Sequence, residues 1–200
     1  MSDLVAENRF AIVDTETTGL FPANDRVLQI GVVIVRGDGT IEQQFSTHIK
    51  RLVLKPGRLG AHHVHGITRT DLMKGIPPDE ALQAVQELLQ GSLFTAHNAD
   101  FDLGFLRAEA IRANFDLQIP AHICTLRMSR ALDPRSTRSH KLSEVAKRYN
   151  ITYQRQHDAL ADALTTAAVL PRLLTDLKIT TVDQLARFTI NERPRRTPQP

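Results

Sequence analysis

The chain has 200 residues, of which 42% are apolar and 24% charged, which suits an ordinary soluble domain with a real core. It has no apolar run long enough to span a bilayer. Its first ten residues lack the basic end and apolar block of a secretory signal. One cysteine, Cys124, excludes an internal disulfide framework, and the expectation is a cytoplasmic protein with a buried structural thiol. The formal charge is +3 and the pI about 9.3, a mild pointer to a polyanionic partner. Basic residues are clustered. Five and no acid lie between Lys50 and Arg69, seven against two acids between Arg127 and Arg148, and three arginines in the last ten residues.

In chain order, Phe10 to Val13 is a short apolar run ending at Asp14. Val27 to Val35 is nearly continuous apolar and β-branched, as in a central strand. A Gly37-Asp38-Gly39 turn leads into an alternating strand over Ile41 to Ile49, so the two form a hairpin. Pro77-Pro78 with Asp79 and Glu80 opens a helix with Ala81, Leu82, Val85, Leu88 and Leu89 on its apolar face. Leu93 to Ala96 reads as a strand, Asp100 to Asn114 as a helix, and Ser143 to Tyr149 as a shorter helix. Asp158 to Leu174 is a helix with Leu160, Leu164, Ala167 and Pro171 along one side, kinked or shortened by the proline. A last short helix falls around Val182 to Phe188. The pattern predicts an α/β domain: one mixed sheet with an antiparallel hairpin, flanked by helices, with ligand sites where strands end and helices begin. One domain is expected over residues 1–189, its motif-bearing core about 10–174, with a mobile, basic, proline-rich tail at 190–200.

Three acidic clusters fall at such junctions. Asp14 and Glu16 follow the first strand, and residues two apart in an extended chain share a side. Two carboxylates so placed repel unless cations lie between them, and hard cations such as Mg²⁺ or Mn²⁺ take oxygen ligands. A solvated turn is the structural alternative. In the second cluster, Asp100 suits a helix N-cap. Asp102 shares a face with Leu106 and needs a partner if buried, either a metal or the helix start. In the third, Asp158 is a candidate N-cap and Asp162 flanks the apolar stripe. His157 lies just outside the helix, with an ordinary pKa near 6.5 that suits proton transfer near neutrality; a surface loop histidine is the alternative. Four carboxylates and a histidine can hold two divalent cations for phosphoryl displacement.

The segments VDTETTGL, AHNADFDLGFL and HDALADA resemble the three exonuclease motifs of the DnaQ-like DEDDh family, over roughly Phe10 to Leu174. The resemblance implies an RNase H-like fold and a 3′→5′ exonuclease that releases 5′-mononucleotides by a two-metal mechanism. Asp14, Glu16, Asp102 and Asp162 match the family's metal-binding acids, and His157 matches its general base. Val64-His65-Gly66-Ile67 resembles a segment whose histidine lies near the terminal nucleotide. Thr17, Leu20, His97, Asn98 and Phe101 match substrate-facing positions. The implied cofactors are two divalent cations, Mg²⁺ or Mn²⁺. The implied partners are nucleic-acid 3′ ends, single-stranded DNA before RNA, with no membrane. Polymerase association enters through the family's epsilon subunit, and a sliding clamp through Gln184 to Phe188. An RNA-trimming enzyme and a non-catalytic nucleic-acid-binding or polymerase-accessory module are the alternative readings.

Overall fold

A computed structural model describes residues 3–51, 62–119, 121–153 and 157–191. After a 3₁₀ turn at Val5–Glu7 come β1 (Arg9–Thr17), β2 (Val27–Arg36) and β3 (Ile41–His48). Next are α1 (His62–His65), α2 (Arg69–Lys74), α3 (Pro78–Leu89), β4 (Ser92–Ala96), α4 (Ala99–Arg112) and β5 (Ala121–Cys124). Then follow α5 (Thr125–Ala131), α6 (Leu142–Arg148), α7 (Ala159–Asp176), α8 (Val182–Leu185), a 3₁₀ turn at Ala186–Phe188, and β6 (Thr189–Asn191). The six strands form one sheet in the order β3-β2-β1-β4-β5-β6. The hairpin strands pair antiparallel, β1, β4 and β5 run parallel, and β6 closes the far edge antiparallel to β5. This is the mixed, helix-flanked sheet that the strand pattern predicts.

Strand alternation sorts the core into two layers. Ala11 and Val13 of β1, with Ile30, Val32 and Ile34 of β2, face the apolar sides of α3 and α4. Phe10 and Ile12, with Val33 and Val35, face α7 and its neighbours. Near-continuous burial of β2 follows from this two-sided cover. The same parity decides the end of β1: Asp14 and Glu16 continue the α7 side, whereas Thr15 continues the α4 side.

The α7 N-terminus presses directly on the sheet. At Gly31, the register partner of Asp14, an added Cβ would collide with the carbonyl carbon and oxygen of Ala159. Buried Gln29, on the same side of β2, accepts from the Ala159 backbone N–H at 3.3 Å and donates to Asp158 at 3.4 Å. Asp158 caps the helix by accepting from the Ala161 N–H, as expected.

Several expectations change. Helix α7 is not shortened by Pro171 but runs five residues beyond it to Asp176. Leu170, Leu173 and Leu174 are buried on either side of the proline, and that packing outweighs its local cost. The buried face of α7 is Ala159, Ala163, Thr166, Ala167 and Leu170, rotated from the Leu160/Leu164 stripe, because small residues permit the close approach. Asp162 therefore lies within that face rather than beside it. Helix α4 begins one residue early, with left-handed Asn98 (φ 75°) at the N-cap position, and Asp100 instead makes an exposed ion pair with Arg127. The sheet takes in Ile190 and Asn191, so the 189/190 boundary falls inside β6. The rest of the expected tail, 192–200, lies outside the described residues, as does most of the basic stretch after Arg51. Strand β5 and helices α2 and α5 have no strong periodic signal; Cys124, at the end of β5, is buried as expected.

Replacing Gly31 by Ala would force α7 away from β2. The expected cost is roughly 1–3 kcal/mol of stability, the usual range for overpacking, measured by denaturant unfolding. A Gly31→Ala variant as stable as wild type would show that the helix is not pinned there.

Candidate metal centre

Three separate segments bring their acids to one end of the sheet. Strand β1 supplies Asp14 and Glu16 as it leaves the core, and α7 brings Asp162 up to the same side of the strand. Asp102 comes from the first turn of α4 and is 3% exposed. It is held from the opposite side of β1, where the Thr15 hydroxyl donates to its Oδ1 at 2.9 Å. Asp162 is similarly anchored: the Tyr153 hydroxyl donates to its Oδ1 at 2.6 Å. His157 is exposed and left-handed (φ 65°), immediately before the Asp158 cap. Its potential ligand atom, with one each from Glu16 and Asp162, forms a group whose members lie within 4.8 Å of one another.

The electrostatics record this crowding. Asp14 is held well above the usual carboxylate range, first by desolvation and then by the charges of Asp102, Asp162, Glu16 and Asp158. Glu16 is pushed up to about 8 by burial and then by Asp162, Asp158 and Asp102. Asp102 rises to about 7, again chiefly by burial, with the Thr15 hydrogen bond working against the shift. Burial also raises Asp162, opposed by the Tyr153 hydrogen bond and by His157. A cluster of hard oxygen donors that resists ionisation in isolation is suited to divalent cations, whose charge removes the repulsion. The donor set therefore fits such ions; thiolates are absent from it, which disfavours a structural zinc site.

The remaining sequence-derived positions are placed unevenly. His97 is mostly buried with both ring nitrogens engaged, Nδ1 with the Thr125 hydroxyl and Nε2 with the His140 carbonyl, each at 2.9 Å. Burial lowers its pKa to about 4, so the neutral ring donates from Nε2 to His140 and accepts at Nδ1 from Thr125. Its polar atoms thus brace the β4–α4 junction against the 133–141 loop. Phe101 packs on Phe105, with ring centroids 4.9 Å apart, and is half-buried. Leu20 is 72% exposed, so it is no core residue and is available to a ligand. Thr17 turns its hydroxyl into its own turn, donating to the Gly19 carbonyl at 2.6 Å. Asn98 is exposed, and His65 accepts from the Ile67 backbone N–H. These hydrogen bonds of Thr17, His65 and His97 go to neighbouring backbone, to Thr125 and to the adjoining loop, none of them to the acids.

Sequence reasoning misses four contributors: Thr15, Gln29, Gly31 and Tyr153. Gln29 and Gly31 are detectable as the only interruptions in the apolar run from Val27 to Val35. Thr15 and Tyr153 carry no such signal, since their roles depend on what lies across the cleft.

Fold and site together define a candidate carboxylate metal centre at the end of an RNase H-like sheet. The exonuclease family model RNase_T matches residues 11–170, and the chain belongs to that family. It is similar to the 3′-5′ exonuclease DinG of Bacillus subtilis, at 30% identity over 92% of this chain and 20% of the relative. It is also similar to a DNA polymerase III subunit epsilon-like protein of Rhodobacter capsulatus, at 35% identity over 84% of this chain and 24% of the relative. The chain thus spans about a fifth to a quarter of the length of these relatives. Among solved structures, E. coli Exonuclease I in complex with a dT13 oligonucleotide shares the fold. Its TM-score is 0.72 at 20% identity, over 86% of this chain and 42% of that one.

The raised carboxylates make a stability prediction. At neutral pH the metal-free folded state keeps protons on Glu16 and Asp102 that the unfolded chain has released, so stability falls as pH rises through their folded pKa values, about 8 and about 7 respectively. His97 acts in the opposite sense, but only below the ordinary histidine pKa of about 6.5. In EDTA the wild-type melting temperature should therefore decline between about pH 6.5 and 8. Glu16→Gln should flatten that decline; equal slopes for the two proteins would contradict the shared-charge account.

Proposed function

We propose that this chain is a 3′→5′ exonuclease that removes 5′-mononucleotides from single-stranded or frayed DNA ends in a repair or editing role. The observation that carries the reading is the convergence of Asp14, Glu16, Asp102 and Asp162 with His157, from three segments of the chain, at one end of the sheet. The carboxylates would hold two divalent cations, Mg²⁺ or Mn²⁺. Such ions supply positive charge to the phosphate and departing oxygen and lower the pKa of water.

The chain's own groups divide the remaining work. His157 stands exposed at the rim and takes the proton from the attacking water. The water oxygen bonds to phosphorus as the bond to the preceding nucleotide's 3′ oxygen breaks, leaving the phosphate on the released nucleotide. Thr15 keeps Asp102 turned into the centre, and the Gln29–Asp158 contact keeps α7 close enough for Asp162 to reach it. Leu20, Thr17, His65, Asn98 and half-buried Phe101 are the candidate contacts to the terminal nucleotide. Arg127, with neighbouring exposed arginines and lysines up to Lys147, offers phosphate contacts along the strand.

Polymerase association is a reading supported by the polymerase III relatives. A clamp-binding peptide at Gln184 to Phe188 is not favoured, because Leu185 is buried and Phe188 packs on the core. Among the described residues, no helix is long and apolar enough to cross a membrane.

The direct assay uses 5′-labelled DNA and matched RNA strands with Mg²⁺ or Mn²⁺. Stepwise shortening from the 3′ end, faster on single-stranded DNA than on RNA or blunt duplex, is the expected result. His157→Ala should lose roughly 10²–10⁴ in rate, the usual weight of a general base, while still binding Mn²⁺. Internal cuts alone, or no turnover with either ion, would overturn the reading.

A further inference from the structure

Asp162 differs from an ordinary surface acid in being 9% exposed and held by a phenol. Tyr153 donates its phenol O–H to Oδ1 at 2.6 Å. The arrangement parallels that of Asp102, whose Oδ1 receives the Thr15 hydroxyl at 2.9 Å. Each acid that reaches the centre from a helix, rather than from β1, has its own hydroxyl donor.

The physical need is clear from the charges. Repulsion from Asp14 and Glu16 favours rotation of the Asp162 carboxylate out of the cleft whenever the compensating charge is missing. A phenol donor at 2.6 Å opposes that rotation by holding one oxygen of a carboxylate that has a potential ligand atom within 4.8 Å of those of Glu16 and His157. Outer donors of this kind orient metal-binding side chains, and their removal typically weakens metal affinity roughly 10–100-fold.

We propose that Tyr153 is a positioning residue of the metal centre, its phenol holding Asp162 by one oxygen in the orientation that accepts a divalent cation. The inference rests on the carboxylate cluster being a metal site, as set out under the proposed function. It assigns Tyr153 no contact with substrate or water.

The same helix provides a control. At its far end the Tyr149 phenol donates to Asp176 at 2.7 Å, a chemically equal pair remote from the acids of β1. The experiment is calorimetric titration of the full chain with MnCl₂ alone, for wild type, Tyr153→Phe and Tyr149→Phe, together with melting in EDTA. Phenylalanine keeps the ring and removes only the hydroxyl. Tyr153→Phe should melt close to wild type in EDTA and bind Mn²⁺ with a Kd raised roughly 10–100-fold. Tyr149→Phe should keep the wild-type Kd. Raising Mn²⁺ above the new Kd should restore most of the nuclease rate of Tyr153→Phe but not that of His157→Ala. An unchanged or tighter Kd in Tyr153→Phe, with wild type binding normally, would overturn the role of Tyr153 and leave the metal site standing. Absence of Mn²⁺ binding by wild type would remove both.

Discussion

The N-terminus of α7 can lie against the sheet only because residue 31 has no side chain. The gap there is too small for a methyl group, and Gly31 is paired in register with Asp14. One backbone contact thereby sets the distance between the strand that carries two acids and the helix that carries the third. Gln29 and Asp158 lock the same contact with hydrogen bonds, and the small residues Ala159 and Ala163 complete it from the helix side. The fourth acid arrives independently, through Thr15 on the opposite side of β1. The centre is therefore built around the end of a single strand, with alternate residues of that strand reaching the two helices.

This construction works against the stability of the fold. Close packing excludes water from the carboxylates while bringing their charges together, and both effects raise their pKa values. The strain is tolerated because the layers beneath are apolar and continuous, from Phe10 and Ile12 on one side to Ala11 and Val13 on the other. Under the proposed function, an ion that neutralised the cluster would stabilise the fold and assemble the reactive centre in one event. The second network, in which Glu109 accepts from the Val27 N–H and pairs with Arg51 and Arg112, has a different role. It fixes the start of β2 and, through Arg112, the Pro22–Ala23 turn next to exposed Leu20 and Phe21.

Much of this is legible from the residues. The strands of the hairpin, β4 and the helices that begin near Pro78, Ala99 and Ala159 follow from apolar periodicity and caps. The metal-binding candidates follow from acids at strand–helix junctions, reinforced by the resemblance to a known set of motifs. What escapes is governed by tertiary contact. Strand β5 has only four residues, too few for alternation to register. Pro171 looks like a kink or an early end because local propensity ignores the leucines that bury α7. His97 matches a substrate-facing position, yet both ring nitrogens are spent on Thr125 and His140, partners distant in sequence. Tyr153 lies outside the resembled motifs and becomes meaningful only when its hydroxyl is seen on Asp162.

The claim on which the account depends is that the four carboxylates form one cation site. Thermal melting of wild type and Asp162→Asn, each in EDTA and in saturating Mn²⁺, tests it most directly. The asparagine substitution removes one repelling charge without changing shape, so that variant should be at least as stable as wild type in EDTA. Wild type should gain from Mn²⁺, by roughly 2.7 kcal/mol per site at about 100 times the dissociation constant, and the variant should lose most of that gain. A wild type indifferent to Mn²⁺, or a variant that responds as strongly, would contradict the account.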